Sequence, residues 1–450
     1  MVKVPRIGRI RIPKQLTRRW RVRLRAQRRW WRARWRASGS EVLFPPAGHG
    51  MVAIQTLARA PDPTAPRIAI LHASAGNGHI RAAQALAAAF TRLNPGTTVR
   101  EVDTLVFASR LYRNTYAASY NAMAARAPKL WGALYHSWAL ASVNRTTAPV
   151  RLAVDRMNLR RLVRVLDRES PDAVVCTHFL PVEALSPARG GGRLKPSLYC
   201  VITDFTAHPF WAFPHVDRYF VATTGVAEEL ASQGVPRDRI EVTGIPIDPR
   251  FATPVGKDAA RARFGIDPAR PMVLVMGGGR GVGPLSDLAE RLVDLEAKPQ
   301  VMVVCGANAS LRDHIDRLPA GRTGRIRTLG FTHEVDVLLE ACDVVVSKAG
   351  GLTCSEAMVK RAPLVIFKPT PGQEVRNAEH LAAAGGAVYA DSIDAVAAAV
   401  TEWLADPAAR DRAREAEGRL AAPAAAINVA RRVLEAIPSE SGRPATTPGS

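Results

Sequence analysis

The sequence predicts an α/β protein of two doubly wound, Rossmann-like domains facing a central crevice. Three observations point there. Short, continuously apolar runs alternate with helical patterns, Gly-rich turns follow several of those runs, and 450 residues exceed what one ordinary domain needs. Such runs are what parallel strands covered on both faces produce. Their alternation with helices is that of βα units. Hydrophobic residues make up 47% of the chain and aromatics only 6%, so the core is expected to be mainly Ala, Val, Leu and Ile.

The first element, residues 1–65, reads as a basic arm. The formal net charge is +22, and the first forty residues hold fifteen Lys/Arg and no Asp/Glu, which leaves +7 for the rest. Between Arg18 and Arg36, arginines interleave with Trp20, Trp30, Trp31 and Trp35. Like charges at this density resist packing. Trp and Arg together suit an anionic membrane surface. A disordered tail remains open, Met51 offers an alternative start, and nucleic acid is a disfavoured partner. No apolar stretch has the ~18–20 residues of a membrane span, and no apolar segment follows the arm as a secretory signal requires. The protein is therefore expected in the cytoplasm, peripheral on the inner face of the cell membrane.

The second element, residues 66–248, opens with a strand at Ile68–His72. Further strands are expected at Asp172–Cys176, Leu198–Thr203, Tyr219–Ala222 and Ile240–Thr243. The third, residues 249–437, is expected to carry strands at Met272–Met276, Val301–Cys305, Ile326–Leu329, Val344–Ser347, Leu364–Phe367 and Ala387–Tyr389, with terminal helices. The join falls near Gly244-Ile245-Pro246-Ile247-Asp248-Pro249. Residues 438–450 are Ser/Pro/Gly/Thr-rich and read as a disordered tail. The five cysteines, four of them in or beside apolar runs, lack disulfide or zinc spacing and read as small buried hydrophobes.

The candidate chemistry lies in the turns. Ser74-Ala75-Gly76-Asn77-Gly78-His79 joins the first strand to a helix. Gly76 and Gly78 let backbone approach a ligand, and the helix N-terminus suits an anion or oxyanion. His79 can act there as general base, or merely orient the loop. The spacing is not G-x-G-x-x-G, which disfavours a dinucleotide. A second turn, Ser347-Lys348-Ala349-Gly350-Gly351-Leu352-Thr353, starts a helix whose Glu356 can reach two ribose hydroxyls, or is simply a solvated helix glutamate. A Pro371-Gly372 turn presents Gln373, Glu374 and Asn377. Gly277-Gly278-Gly279-Arg280-Gly281 can bring backbone N–H groups and Arg280 to a diphosphate. With no Asp-x-Asp and no His/Cys cluster of metal-ligand spacing, no metal or cofactor is expected. A diphosphate would be held by helix ends, backbone amides and Arg/Lys.

An aromatic, basic segment from Leu111 to Trp138, including Trp131 and Tyr135, fits an interfacial element or ordinary core. Pro209-Phe210-Trp211-Ala212-Phe213 is the expected second wall of an apolar groove.

From Arg67 to Asp406 the chain resembles the monogalactosyldiacylglycerol synthases and bacterial processive diacylglycerol glycosyltransferases of glycosyltransferase family 28. The resemblance rests on Ser347-Lys348-Ala349-Gly350-Gly351, Ser355-Glu356, Pro371-Gly372-Gln373-Glu374 and Asn377. In the first domain it rests on Ser74–His79, Ala127–Tyr135 and Thr203-Asp204-Phe205-Thr206-Ala207-His208-Pro209-Phe210-Trp211. It implies the GT-B fold and inverting transfer of a hexose from a UDP-sugar co-substrate to a diacylglycerol-type lipid acceptor. By position, Ser347, Gly350 and Gly351 would meet the diphosphate, and Glu356 the ribose. Gln373, Glu374 and Asn377 would meet donor sugar and phosphates, and the backbone at Phe331 would lie by the uracil. Leu352, Thr353, Gly278 and Gly279 complete the donor set; His208 joins Gly76, Gly78, Phe210 and Trp211 on the acceptor side. His79 leads as base and Asp204 is second. The kept alternatives are another lipid or apolar acceptor, an epimerase, or a UDP-sugar sensor.

Overall fold

The computed structural model describes residues 65–74, 76–116 and 141–437. The expectations for the basic arm, for Trp131 and Tyr135, and for the C-terminal tail lie outside the described residues.

Two six-stranded sheets carry the described chain. The first contains β1 (Arg67–His72), β2 (Thr98–Asp103), β3 (Ala173–Cys176), β4 (Ser197–Val201), β5 (Arg218–Val221) and β6 (Ile240–Val242), in the order β2-β1-β3-β4-β5-β6. The second contains β7 (Met272–Met276), β8 (Gln300–Val304), β9 (Ile326–Leu329), β10 (Val344–Ser347), β11 (Leu364–Phe367) and β12 (Val388–Ala390), in the order β12-β11-β10-β7-β8-β9. Every pairing is parallel. Helices on both faces close each sheet, the doubly wound arrangement of the prediction.

The central strands are buried along their whole length, as their unbroken apolar sequences require. The one strand the sequence reading lacks is β2. Its sequence, Thr98-Val99-Arg100-Glu101-Val102-Asp103, holds three charges, and as an edge strand it is nowhere fully buried. It therefore shows no continuous apolar run. Its charges nonetheless support the crevice. Asp103 Oδ1 accepts from Ser74 N at 3.2 Å and Leu105 N at 3.1 Å, and Glu101 meets the buried His72 at 3.1 Å.

Strand order reverses between β1 and β3 in the first sheet and between β7 and β10 in the second. Such switch points open a crevice beyond the carboxyl ends of the strands, where ligands of this fold class bind. The helices that border it are α1 (Asn77–Leu93), α2 (Ala141–Glu169), α3 (Phe179–Gly190), α4 (Thr224–Ser232), α5 (Gly351–Lys360) and α6 (Gln373–Ala383). No helix among the described residues is long and apolar enough to cross a membrane.

The chain from Pro66 onward is one compact unit, for three reasons visible in the packing. The segment after β6 crosses with Ile245 and Ile247 buried. Ala82 and Phe205 of the first half share an apolar cluster with Leu352 and Ala378 of the second. The last helix, α7 (Ala425–Glu435), leaves the second sheet and lays Ala426, Val429, Ala430 and Val433 on Ile68, Leu86 and Phe90 of the first. All five cysteines are buried and free, as expected of small hydrophobes.

Because α7 covers first-sheet core, Val429→Asp should destabilise the whole unit by several kcal/mol, the scale of a charge buried without a partner, roughly 3–5 kcal/mol. A urea midpoint unchanged from wild type would show that α7 does not hold the first sheet.

Candidate functional site

At the first switch point, β1 ends at His72 and the chain turns through Ser74 into α1. Gly76 is the N-cap, is extended, and supplies no side-chain cap, so the first-turn N–H groups of α1 stay open. A side chain at Gly76 would meet nothing within 4 Å. His79 sits in that first turn, with Nδ1 2.7 Å from the Thr177 carbonyl at the end of β3 and 3.0 Å from Thr203 Oγ1. A carbonyl only accepts, so Nδ1 carries the proton and Nε2 keeps its lone pair. Thr177 Oγ1 donates back to the His79 carbonyl at 2.9 Å, which locks helix to strand. Burial pushes the His79 imidazole down to about 4, against the Thr177 hydrogen bond, and His72 pushes the same way. His79 is thus neutral at pH 7, with Nε2 able to take a proton.

The loop after β4 brings Asp204 beside α6 of the second domain. Asn377, 0% exposed, spends its whole amide here. Oδ1 accepts from Phe205 N at 2.9 Å; Nδ2 donates to Asp204 Oδ1 at 3.2 Å and to the Ala349 carbonyl at 3.1 Å. The structure therefore makes Asn377 a bridge between the loop after β4 and the loop after β10. Burial pushes the Asp204 carboxyl up to about 6; the Asn377 hydrogen bond opposes this and Glu374 adds to it. The contact continues along α6, where Arg376 meets Glu229 of α4 at 2.8 Å and His380 stacks on Phe205 at 6.0 Å between ring centroids.

At the second switch point, Ser347 Oγ donates to the Met276 carbonyl at 3.2 Å and ties β10 to β7. Gly350 caps α5 without a side chain and has open space above it. Gly351 abuts the Thr203 carbonyl, and a methyl there would overlap that oxygen. Leu352 is buried in the shared cluster, and Thr353 is half-buried. Glu356, one turn on, is 1% exposed; its Oε1 pairs with Arg81 of α1 and its Oε2 has no partner. Burial pushes its carboxyl up to about 7, with Arg81 opposing.

The remaining donor candidates ring this centre. Gln373 opens α6 after Gly372, whose φ of 103° suits glycine. Glu374 Oε2 accepts from Thr370 N at 2.6 Å, and Oε1 lies 3.6 Å from Lys348 Nζ. Gly278 and Arg280 are exposed, and Gly279 leaves the notch that the Asn77 side chain fills. Phe331 is 63% exposed at the rim, its ring 5.0 Å from His333.

On the acceptor side, His208 accepts from Phe210 N at 3.3 Å and orients the Pro209–Trp211 turn. Phe210 lies 5.4 Å from Phe179, with the Arg151 guanidinium 4.2 Å over its ring. Trp211 is 4% exposed and belongs to the first-domain core. It meets the site only from beneath, 6.4 Å from His79, rather than as an outer groove wall. Gly78 rests against Leu352 across the crevice. Beyond Phe210, Arg151 pairs with Glu183 and Tyr112 donates to Asp155 at 2.5 Å. Leu111, Val150, Val154 and Met157 leave an exposed apolar strip on helical residues 110–116 and α2. Among the described residues, no group of three or more His, Cys, Asp or Glu could hold a metal ion.

Sequence reasoning missed Thr177, Thr203 and Arg81. Thr177 follows a strand next to β1, and only the strand order reveals that neighbour. Arg81 lies two residues after His79 but finds its partner 275 positions away.

Comparison with known proteins identifies the family. Residues 79–247 match the monogalactosyldiacylglycerol (MGDG) synthase family, and residues 272–428 match the glycosyltransferase family 28 C-terminal domain. A processive diacylglycerol beta-glucosyltransferase of Bacillus licheniformis is 30% identical over 343 residues, covering 75% of this chain and 87% of the relative. Its counterpart in Bacillus subtilis is 29% identical over 346 residues, covering 76% and 87%. Among solved structures, MurG of Acinetobacter baumannii superposes with TM-score 0.54 at 15% identity, covering 82% of this chain and 99% of that one. MnaA of S. aureus, solved with UDP, superposes with TM-score 0.57 at 14% identity, covering 85% and 100%. These likenesses establish the fold as GT-B.

Gly351→Ala should cost about 1–3 kcal/mol, because backbone must move to admit the methyl. Gly78→Ala, whose methyl would sit 3.6 Å from Leu352 in ordinary contact, should be close to neutral. Thermal unfolding decides between them, and equal melting temperatures for the two variants would contradict the close approach at Thr203.

Proposed function

Since this chain belongs to glycosyltransferase family 28, in the branch of the diacylglycerol glycosyltransferases, we propose that it moves a hexose from a UDP-sugar to a diacylglycerol-type lipid, with inversion and without a metal. The observation that carries this is Glu356: a buried carboxylate with one orphaned oxygen, one turn inside an uncapped helix end, across the crevice from the neutral His79. Orphaned buried acceptors are costly, and a ribose hydroxyl satisfies this one.

The donor lies over the second sheet. Its ribose hydroxyls meet Glu356, and its diphosphate meets the open N–H groups at Gly350 and Gly351, where the helix dipole favours negative charge. Gln373 and Glu374 at the head of α6 face the sugar. The lipid hydroxyl enters from the first sheet, beside Phe210 and the aromatic ring of Phe179. His79 Nε2 takes its proton as the hydroxyl oxygen bonds to the anomeric carbon. The bond from that carbon to the phosphate oxygen breaks on the opposite side, and UDP leaves with the electron pair. Asp204, held by Asn377, orients the loop between His79 and the sugar. The exposed apolar strip of Leu111, Val150, Val154 and Met157 supports the placing of the acceptor side at the cytoplasmic membrane surface.

The direct test incubates the full chain with radiolabelled UDP-hexoses and diacylglycerol vesicles, then separates the lipid phase. Labelled glycolipid is expected, and label in water-soluble product alone would overturn the lipid acceptor. His79→Ala should lower kcat by about 10²–10⁴-fold, the usual range for a lost general base. Full turnover in that variant would move the role to Asp204.

The pH profile follows from the two raised carboxyls. Glu356, at about 7, and Asp204, at about 6, work as carboxylates. Both take up protons as pH falls through those values, so kcat/KM should be full near pH 8 and decline below about 7. A profile flat from pH 8 to pH 5 would contradict these assignments.

A further inference from the structure

Arg81 has no role in the reaction as described so far, yet it covers the donor carboxylate. It belongs to α1, the helix of His79, and α1 runs beside the start of α5 with its contacts in sequence. Asn77 fills the notch at Gly279, Gly78 rests on Leu352, and Arg81 pairs with Glu356. One helix of the first domain thus passes the expected diphosphate position and then the expected ribose position.

We infer that Arg81 is a donor-binding residue supplied by the first domain: it pairs with Glu356 in the structure and exchanges that carboxylate for a diphosphate oxygen when UDP-sugar binds. The inference rests on the reading of Glu356 as the ribose ligand. The two side chains satisfy each other only in part. Glu356 Oε1 is paired and Oε2 is left without a partner, while the Arg81 side chain remains 36% exposed. A guanidinium is suited to the exchange, because its planar fork fits a phosphate as well as a carboxylate.

Charge balance favours such a move. A donor brings a diphosphate close to a buried carboxylate, and two anions at short range repel. Lys348, the nearest cation on the β10 loop, is engaged by Glu374 at 3.6 Å and by Thr370 at 3.4 Å. Arg81 already lies on Glu356, so a turn back along α1 toward Gly350 serves both ends of the donor. The exchange also links donor binding to the helix that holds His79.

The experiment compares binding of UDP and of uridine to the full-length wild type, Arg81→Ala, Arg81→Lys and Glu356→Ala by ligand-observed NMR titration. Arg81→Ala should weaken UDP by about tenfold or more, the scale of one charge-assisted hydrogen bond. It should leave uridine, which lacks the diphosphate, bound as well as before or better, because Glu356 is freed. Arg81→Lys should fall between wild type and Arg81→Ala for UDP. Arg81→Ala binding UDP as wild type does, or losing both ligands by the same factor, would overturn the inference. Glu356→Ala separates the two levels, since it should weaken both ligands. If it left uridine binding intact, the ribose reading would fall and the role of Arg81 with it.

Discussion

One fully buried amide, that of Asn377, sets the geometry on which the crevice depends. It accepts from the loop after β4 and donates to both that loop and the loop after β10. The loop after β10 lies at the second switch point, and the loop after β4 lies one strand beyond the first, where its Thr203 meets His79. A buried amide that fails to find its partners costs about 1–3 kcal/mol. The two loops are therefore held at one spacing rather than a range. Gly351 permits that spacing by letting backbone meet the Thr203 carbonyl, and Arg376 and His380 extend the contact along α6. The site is an interface between two halves of one chain, and neither sheet holds it alone.

Closure explains the electrostatics. His79, Asp204 and Glu356 are moved from their ordinary values mainly by burial, each with a partner that opposes the shift. Desolvation favours the neutral form of any group, so it lowers the imidazole and raises the carboxyls. The two carboxyls then stand closer to working pH, and the imidazole rests unprotonated. Perturbed groups gathered at a crevice are the usual mark of a working site. For Asp204 and Glu356 a partner comes from the other domain, Asn377 and Arg81, whereas His79 is enclosed by its own domain.

Much of this was legible in the sequence, and the reason for the rest is physical. Eleven of the twelve strands among the described residues announced themselves, because buried parallel strands need unbroken apolar runs. The edge strand β2 did not, since three of its six residues are charged and break the apolar run that the other edge strands or their flanks keep. Gly350, Gly351 and Glu356 were readable because a Gly-rich turn entering a helix, with a carboxylate one turn on, is a short and restrictive pattern. Asn377 was found for its place in the motif, but its partners at Asp204 and Phe205 lie more than 170 positions away. Trp211 looked like a groove wall and is core, as large aromatics more often are. Arg81, Thr177 and Thr203 act through neighbours that only strand order brings close.

In the proposed reaction the nucleophile comes from the first sheet and the diphosphate leaves on the second, on opposite sides of the anomeric carbon. A single displacement across such a crevice must invert that centre. The most direct test is proton NMR of the glycolipid formed from a UDP-α-hexose and diacylglycerol, read at the anomeric proton. The account predicts a β-linked product. An α-linked product would contradict the facing arrangement of base and leaving group on which the whole reading rests.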